Sequence, residues 1–596
     1  MRHALFPTSL VLVIASCDSD DGAAAVAPAI VDIRADSNRD GEVRFDDSDG
    51  DDKTVWNASR GAVFLANIDD DNKRCPSNSS DLAMAECNDA DNDVVDGEED
   101  ALDLAPLRTR PWPDAPPDAT ARVVVANYAA RERVRLFKKT GPLPADYKPI
   151  SGETVFTREE IAQGIELAIE GKDIVRDPEQ WDGYVDVKWI VRSATYGQIA
   201  DSVRLRVAPV LMYHHLLPAE TIWIPNTNTA AHKVMHEQIR ASCETAGLGS
   251  PSVLDVDDQW AQDYFEPAFM SMPAKHGAQH VIRVNYRSAN VFNRAAEDAP
   301  LRPAGRIVFK LRGRDVAGVQ QFDPQHSSTM DSLSSLGNFE TVPPYERGDE
   351  RFPFGRVLRG ATKSFYPDRA FARMVEAQAQ QPPIDVDTSW LLVGHVDETI
   401  SFVKAPTLRG WMLLINDPRL AKTMLEDAAA QGYGDKTMFA GKHWLNLETG
   451  AITPAVTTIN AVLADTQIMQ ASAEAAAEVD AQLDILKKEI GLKDREIIKV
   501  PFLHAIAFGK SVAYQPAMVN GLYVSETRFA APDPHGPVID GVDIFKDAFA
   551  DSLRKIGITV DWVEDWDAYH RIYGEVHCGS NSTRKIPEVR WWESGR

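Results

Sequence analysis

Apolar and polar residues alternate through Ala121-Arg-Val-Val-Val-Ala and Tyr184-Val-Asp-Val-Lys-Trp-Ile-Val, and acidic or Pro-rich turns separate such runs. A strand sends successive side chains to opposite faces, so this period of two predicts half-buried strands and, from about Ile30 to about Leu205, an all-β sandwich. Beyond Val207 the pattern changes, and strands alternate with helical stretches to Arg596. Ala473 to Ile490 is the clearest helix: it is Ala- and Glu-rich, has apolar residues at helical spacing, and is stopped near Gly491. The second half therefore reads as α/β or α+β. No strong internal repeat and no long low-complexity segment stands out.

The first residues read Met-Arg-His-Ala-Leu-Phe-Pro-Thr-Ser-Leu-Val-Leu-Val-Ile-Ala-Ser-Cys. The apolar run is too short to span a bilayer, which takes ~20 residues, but it suits an export signal. Val13-Ile14-Ala15-Ser16-Cys17 resembles a bacterial lipoprotein leader over residues 1–17, with Cys17 as the lipidated first residue of the mature chain; an ordinary signal peptide cut near Ala15 is the other reading. Residues 18–29 read as a flexible tether. Both readings predict an exported protein. The first adds a lipid anchor in a bacterial membrane, facing periplasm or exterior.

At 596 residues the chain has room for two to four domains. Its formal net charge of −26 argues against a nucleic-acid partner and favours a cationic substrate or bound cations. From Asp32 to Asp103 there are 22 acidic residues against 7 basic ones, so more than half of the excess lies in about an eighth of the chain. Asp36-Ser-Asn38-Arg-Asp40-Gly41, Asn67-Ile-Asp69-Asp-Asp71-Asn72, and the run from Asn88 through Asp89, Asp100 and Asp103 place oxygen donors at alternating positions near turns. This is the chemistry of a calcium loop, since a hard cation takes six to eight oxygens. Among the cysteines, Cys75 and Cys87 flank the acidic segment and are compatible with a disulfide. Cys243 reads as an apolar filler. Cys578, beside His577 and before Gly579, reads as a reactive thiol.

Two further stretches carry candidate chemistry. In Trp390-Leu-Leu-Val-Gly-His395-Val-Asp397-Glu398, read as a strand, His395 and Asp397 project from one face. They suit acid–base work, a grip on a cationic substrate, or a satisfied structural pair. In Asp257-Asp-Gln-Trp260-Ala-Gln262-Asp263-Tyr-Phe-Glu266 a carboxylate stands beside an aromatic platform, which also describes an ordinary acidic turn with a core Trp.

Taken in order, Asp-Asp-Gln-Trp-x-Gln-Asp, Gly337-Asn-Phe-Glu340-x-x-Pro-Pro344, Gly394-His-Val-Asp-Glu-x-x-Ser-Phe-Val403, Met518-Val-Asn520 and Gly574-Glu-Val-His-Cys-Gly-x-Asn581 closely resemble the peptidyl-arginine deiminases, from about residue 30 to the end. The resemblance implies a calcium-binding immunoglobulin-like β-sandwich over 30–205. It also implies a pentein catalytic domain, a five-bladed α/β propeller, over 206–596. The activity it implies is hydrolysis of arginine side chains in proteins or peptides to citrulline, with calcium as cofactor. Deimination of free arginine or a small guanidine compound, and a catalytically inactive calcium-binding surface adhesin, are the alternatives.

By the same resemblance Cys578 is the nucleophile, His395 the general acid and base, and Asp263 and Asp397 the carboxylates that hold the guanidinium. Trp260 packs on the arginine stem, and the arginine that grips the substrate backbone falls near Arg287. Gln262, Glu266 and Glu340, with the Leu336 and Phe339 carbonyls, match one calcium site. Asn67, Asp69, Asp71, Asp89, Asp100, Asp103 and Asp315 match the sites between the two domains. Tyr264 and Asn285 replace acidic residues of a second site beside the cleft, which is weakened or lost. The first N-terminal domain of the vertebrate enzymes has no counterpart, so a monomer, or an assembly unlike the vertebrate dimer, is expected.

Overall fold

The computed structural model describes residues 30–325, 332–362 and 367–596. The leader and tether of residues 1–29 lie outside the described residues. No helix among those described is long and apolar enough to cross a membrane.

The alternation in Tyr184–Ser193 becomes a strand with Val185, Val187, Trp189 and Val191 buried and the residues between them turned outward. It pairs antiparallel with Gly197–Val207 and lies in a four-stranded sheet with Ala62–Phe64 and Thr120–Val125. Ile33–Ala35, Ala105–Thr109, Glu166–Gly171, Val134–Lys139 and Tyr147–Ile150 form a five-stranded sheet. Both sheets bury side chains in one core, with Ile33, Leu107 and Ile169 from one meeting Phe64, Val187 and Leu205 from the other.

That core does not stop near residue 205. It continues through Val210, Phe269, Val284 and Trp591, and Trp56 stacks on Trp591 with ring centroids 5.7 Å apart. The two halves therefore share buried apolar surface, which is the dominant favourable contribution to holding them together. A disulfide joins Cys75 and Cys87 in the acidic segment, and Cys243 is a buried free thiol.

The second half contains a repeat that the sequence does not display. Among the described residues, five sheets share one pattern: a strand, an antiparallel neighbour, a helical crossover, and a third strand parallel to the second. Phe265–Pro273, Gln279–Arg287 and Val316–Val319 make one unit. Phe339–Val342, Arg356–Ala361 and Ile384–Asp387 make the next. Ile400–Lys404, Trp411–Asp417 and Ile497–Pro501 follow, and then Leu522–Ser525, Arg528–Pro532 and Thr559–Val563. The remaining unit joins the two ends of this half: Asn581–Arg584 pairs antiparallel with Ala219–Pro225, whose parallel partner is Ser252–Leu254.

The long helix spans Thr466–Ile490, seven residues longer at its start than the periodicity suggests, because the Asp465 side chain caps it. Ile468, Ala471, Ala475, Val479, Leu486 and Ile490 form its buried stripe, and Gly491 ends it at φ 66°.

Candidate active site

In each of the five units a short segment just before the first strand carries a chemically distinctive residue. Asp263 stands two residues before Phe265, Gly337 two before Phe339, Asp397 three before Ile400, Asn520 two before Leu522, and Cys578 three before Asn581. Repetition of one topology brings these equivalent positions together although the first and the last stand 315 positions apart in sequence.

His395 and Asp397 do not lie on a strand. His395 precedes a single 3₁₀ turn, Val396–Glu398, because the Glu398 carboxylate accepts the main-chain N–H groups of Gly394 and His395, each at 2.9 Å, and bends the chain back. Burial and the neighbouring Asp397 charge outweigh those bonds and push Glu398 up to about 8.

His395, Asp397 and Asp263 converge on Gly337. A methyl group added there would lie 2.8 Å from His395 Nδ1, 3.2 Å from Asp397 Oδ2 and 3.5 Å from Asp263 Oδ1. The His395 ring is held from its far side, where Nε2 is 2.7 Å from the Ser332 carbonyl, so Nδ1 faces inward, 3.8 Å from Asp263 Oδ1 and without a hydrogen-bond partner among the described residues. Asp397 is 2 % exposed; its Oδ2 is 2.9 Å from His577 Nδ1, and its Oδ1 has no hydrogen-bond partner among the described residues.

Asn520 links this group to the thiol. Its Nδ2 donates to the Asp397 carbonyl at 2.9 Å, and the Cys578 thiol donates to its Oδ1 at 3.4 Å. The Cys578 carbonyl in turn accepts the N–H of Gln262, on the turn that carries Asp263. Burial first, and then the Asp397 and Asp263 carboxylates, push the Cys578 thiol well above the ordinary range. Trp260 crosses Tyr569 edge to face at 5.3 Å and packs so closely on Gly574 that a methyl group there would fall 2.0 Å from the indole.

Arg287 is not brought to this cluster. It is fully buried, 2.9 Å from Asp81 and 2.6 Å from Gln320. The arginine that reaches Asp263 is Arg302, with Nη1 2.8 Å from Oδ2 while its other nitrogens chelate Asp258 at 2.8 Å. Sequence reasoning missed Arg302, although an arginine ahead of Pro303 gives no local signal of its target.

The acidic residues separate into groups. Asp69, Asp71 and Asp89 have carboxylate oxygens within 4.8 Å of one another, and a His280 ring nitrogen lies as close to carboxylate oxygens of Asp103 and Asp315. Asn67 joins them through Asp100 at 2.8 Å and through Glu170 at 2.9 Å. Burial and like charge push Asp71 up to about 6 and Asp89 up to about 7, and raise Asp69 and Asp103 further. Among the described residues, oxygens of Asn67, Asp69, Asp71, Asp89 and Asp103 are buried without hydrogen-bond partners. Such orphaned oxygens fit a hard cation. His280 and Glu170 were not legible as members.

Asp36, Asn38 and Asp40 form a loop of their own: Asp36 accepts the N–H groups of Asp40 and Gly41 at 2.9 Å, Asn38 that of Asp40 at 3.0 Å, and Asp40 pairs with Arg44. Nearer the thiol, Gln262 donates to Glu266 at 2.8 Å, and Glu340 lies in the same region on the strand that follows Leu336. Phe339 opens that strand, and its N–H donates to the Leu336 carbonyl. Tyr264 is buried, and Asn285 pairs across the sheet with Pro267.

A mixed α/β chain whose buried thiol, imidazole and paired carboxylates meet at the ends of repeated units is that of a hydrolase acting on the arginine guanidino group. The family model for protein-arginine deiminase (PAD) matches residues 197–593, about two thirds of the sequence, and the chain belongs to that family. It is 28 % identical over 586 residues to protein-arginine deiminase type-1 of Homo sapiens, across 94 % of this chain and 82 % of that protein. To type-4 of Mus musculus it is 26 % identical over 590 residues, with the same coverage. Among solved structures, a C. jejuni agmatine deiminase covers 64 % of this chain and 98 % of its own at 10 % identity and a TM-score of 0.35, a likeness that carries no argument here. Family membership fits a pentein catalytic domain.

Proposed function

We propose that the protein hydrolyses arginine side chains of proteins or peptides to citrulline and ammonia, dependent on calcium, through a covalent adduct on Cys578. The convergence of His395 Nδ1, Asp397 Oδ2 and Asp263 Oδ1 on one point, linked to the thiol by two hydrogen bonds through Asn520, carries this reading. We also read the five units as a five-bladed propeller closed by Asn581–Arg584, and the N-terminal sheets as immunoglobulin-like.

A guanidinium is a poor electrophile because its charge is spread over three nitrogens. Two carboxylates on its edges orient it and fix which nitrogen leaves. The cation also offsets the carboxylate field that, together with burial, keeps Cys578 protonated, so as substrate binds the thiol passes its proton to His395, which is then protonated for the next step. The thiolate attacks the central carbon and a C–S bond forms. His395 gives a proton to one nitrogen, the C–N bond breaks, and ammonia departs. Water deprotonated by His395 then attacks the thiouronium carbon, the C–S bond breaks, and the thiolate returns.

In this scheme the partnerless oxygens of the acidic groups, and Gln262, Glu266 and Glu340 with the Leu336 and Phe339 carbonyls, hold calcium. The ions would supply positive charge to clusters that otherwise repel themselves, and the turn carrying Gly337 would be ordered by them.

Incubation with an acyl-arginine amide is expected to release ammonia with calcium present and none with a chelator. Turnover of free arginine alone would overturn the protein-substrate reading. A second expectation concerns the thiol itself: the difference in thiolate absorbance between the calcium-free protein and its Cys578→Ser variant should show no step near pH ~8.5, where an ordinary cysteine titrates. A cationic guanidine ligand should move the Cys578 titration down in pH, because it offsets the Asp397 and Asp263 charge that adds to burial in raising it.

A further inference from the structure

We propose that Asp565 and Glu575 share a buried proton and that this acid pair positions the nucleophile, holding the turn that carries Cys578 against the turn that carries Asn520. Asp565 is 1 % exposed and Glu575 5 %, and their side chains lie within hydrogen-bond reach of each other. Both side-chain oxygens of Asp565, and Oε2 of Glu575, are buried without a hydrogen-bond donor among the described residues. Two carboxylates offer each other only lone pairs. As two anions they would set like charges side by side in a space that solvates neither, so a proton held between them is the arrangement that satisfies these oxygens.

The surroundings of the pair do not supply a cation in its place. Among the described residues no lysine or arginine is bonded to either carboxylate. His570 Nδ1 lies 2.9 Å from Glu575 Oε1, but burial pushes the imidazole down to about 4, so it meets the carboxylate as a neutral N–H donor. The other titratable groups facing the pair are Glu564 and Tyr569 near Asp565, Glu398 near Glu575, and His535 beyond His570. The carboxylates of Glu564 and Glu398 add negative charge and favour the proton further. Burial pushes Glu575 up to about 8, against the bonds from Asp565 and Ala517, and burial with the Glu575 charge raises Asp565 well above the ordinary carboxylate range.

The pair stands where two motifs meet. Glu575 Oε1 accepts the Ala517 N–H at 3.1 Å, three residues before Asn520, and the Glu575 carbonyl accepts the Gly579 N–H at 3.2 Å, closing the turn around Cys578. The Asn520 carbonyl accepts the His577 N–H at 3.1 Å, and Asn520 Oδ1 accepts the thiol itself. Asp565 is fixed from the other side: its main-chain carbonyl accepts the N–H groups of Ala568, Tyr569 and His570, folding the segment that leads through Tyr573, at φ 70°, to Gly574. Loss of the shared proton would put two charges beneath the nucleophile turn and drive its supports apart. The pair acts through that turn and takes no part in making or breaking bonds to substrate.

The catalytic role rests on the deiminase reading, whereas the shared proton does not, and the two are tested apart. In the calcium-loaded protein at neutral pH, the infrared difference between wild type and Asp565→Asn should show the carbonyl band of a protonated carboxyl in the wild type only. With an acyl-arginine amide, Asp565→Ala should lower kcat by about tenfold or more and change KM by less than about threefold, because the thiol is displaced while the guanidinium clamp is not. Asp565→Asn, whose side-chain N–H replaces the shared proton, should recover most of that loss and hold its activity further into the alkaline range than the wild type. If Asp565→Asn does not reproduce the wild-type thermal transition, Asp565→Ser, with its hydroxyl donor, takes its place. Absence of the carboxyl band from the difference would overturn the shared proton. Full activity in Asp565→Ala, or no recovery in the donor-bearing variant, would overturn the positioning role. A wild type that shows the band yet leaves the amide unchanged would overturn the deiminase reading and the catalytic role with it.

Discussion

Cys578→Ser is expected to release no measurable ammonia from an acyl-arginine amide, a fall of at least about 10⁴-fold, with folding and calcium binding unchanged. The structure gives the reason for both halves of this outcome. The hydroxyl replaces the thiol at a position that makes one weak hydrogen bond, 3.4 Å to Asn520, so little stability is lost. An alcohol buried between Asp397 and Asp263 is a far worse nucleophile than a thiol in the same field, because its proton is held much more tightly. Residual activity comparable to the wild type would mean that sulfur forms no bond to substrate and that the proposed chemistry is wrong.

Gly337→Ala is expected to lower kcat/KM by about 10²-fold or more while leaving the thermal transition within a few degrees. A methyl group would stand 2.8 Å from His395 Nδ1, closer than carbon and nitrogen approach without displacement. The ring cannot swing aside freely, because its Nε2 is fixed on the Ser332 carbonyl at 2.7 Å. Either the imidazole or the Leu336–Asn338 turn must therefore shift, and the reacting geometry with it. Alanine at an ordinary backbone conformation also reduces the freedom of the unfolded chain, a stabilisation of about 0.4–1 kcal/mol that offsets part of the strain. A variant with full activity would show that Gly337 does not border the reacting atoms.

Local signals in the sequence were reliable where burial is decided locally. The alternation at Tyr184–Ser193, the stripe of the Thr466–Ile490 helix and the stop at Gly491 all follow from side chains facing a core or water along one element. The motifs around Asp263, His395 and Cys578 were legible because each is compressed into a few residues. The repetition of five units was not, because a ββαβ pattern is specified by which strands pair, and many unrelated residues satisfy one pairing. The strand expected around His395 was wrong for a related reason: Glu398 bonds back to two main-chain amides and competes with the ladder.

What the sequence by itself determined is the set of elements, the acidic segment and the inventory of reactive side chains, since composition and periodicity act over a few residues. Tertiary structure alone decided which of them meet. Pairing of Asn581–Arg584 with Ala219–Pro225 brings His577 beside His215, and the repeated units set Asp263, Gly337, Asp397, Asn520 and Cys578 at equivalent strand ends. The same folding turns Arg302 toward Asp263 and buries Arg287 against Asp81. These encounters depend on closure over hundreds of residues, and no window along the chain encodes it.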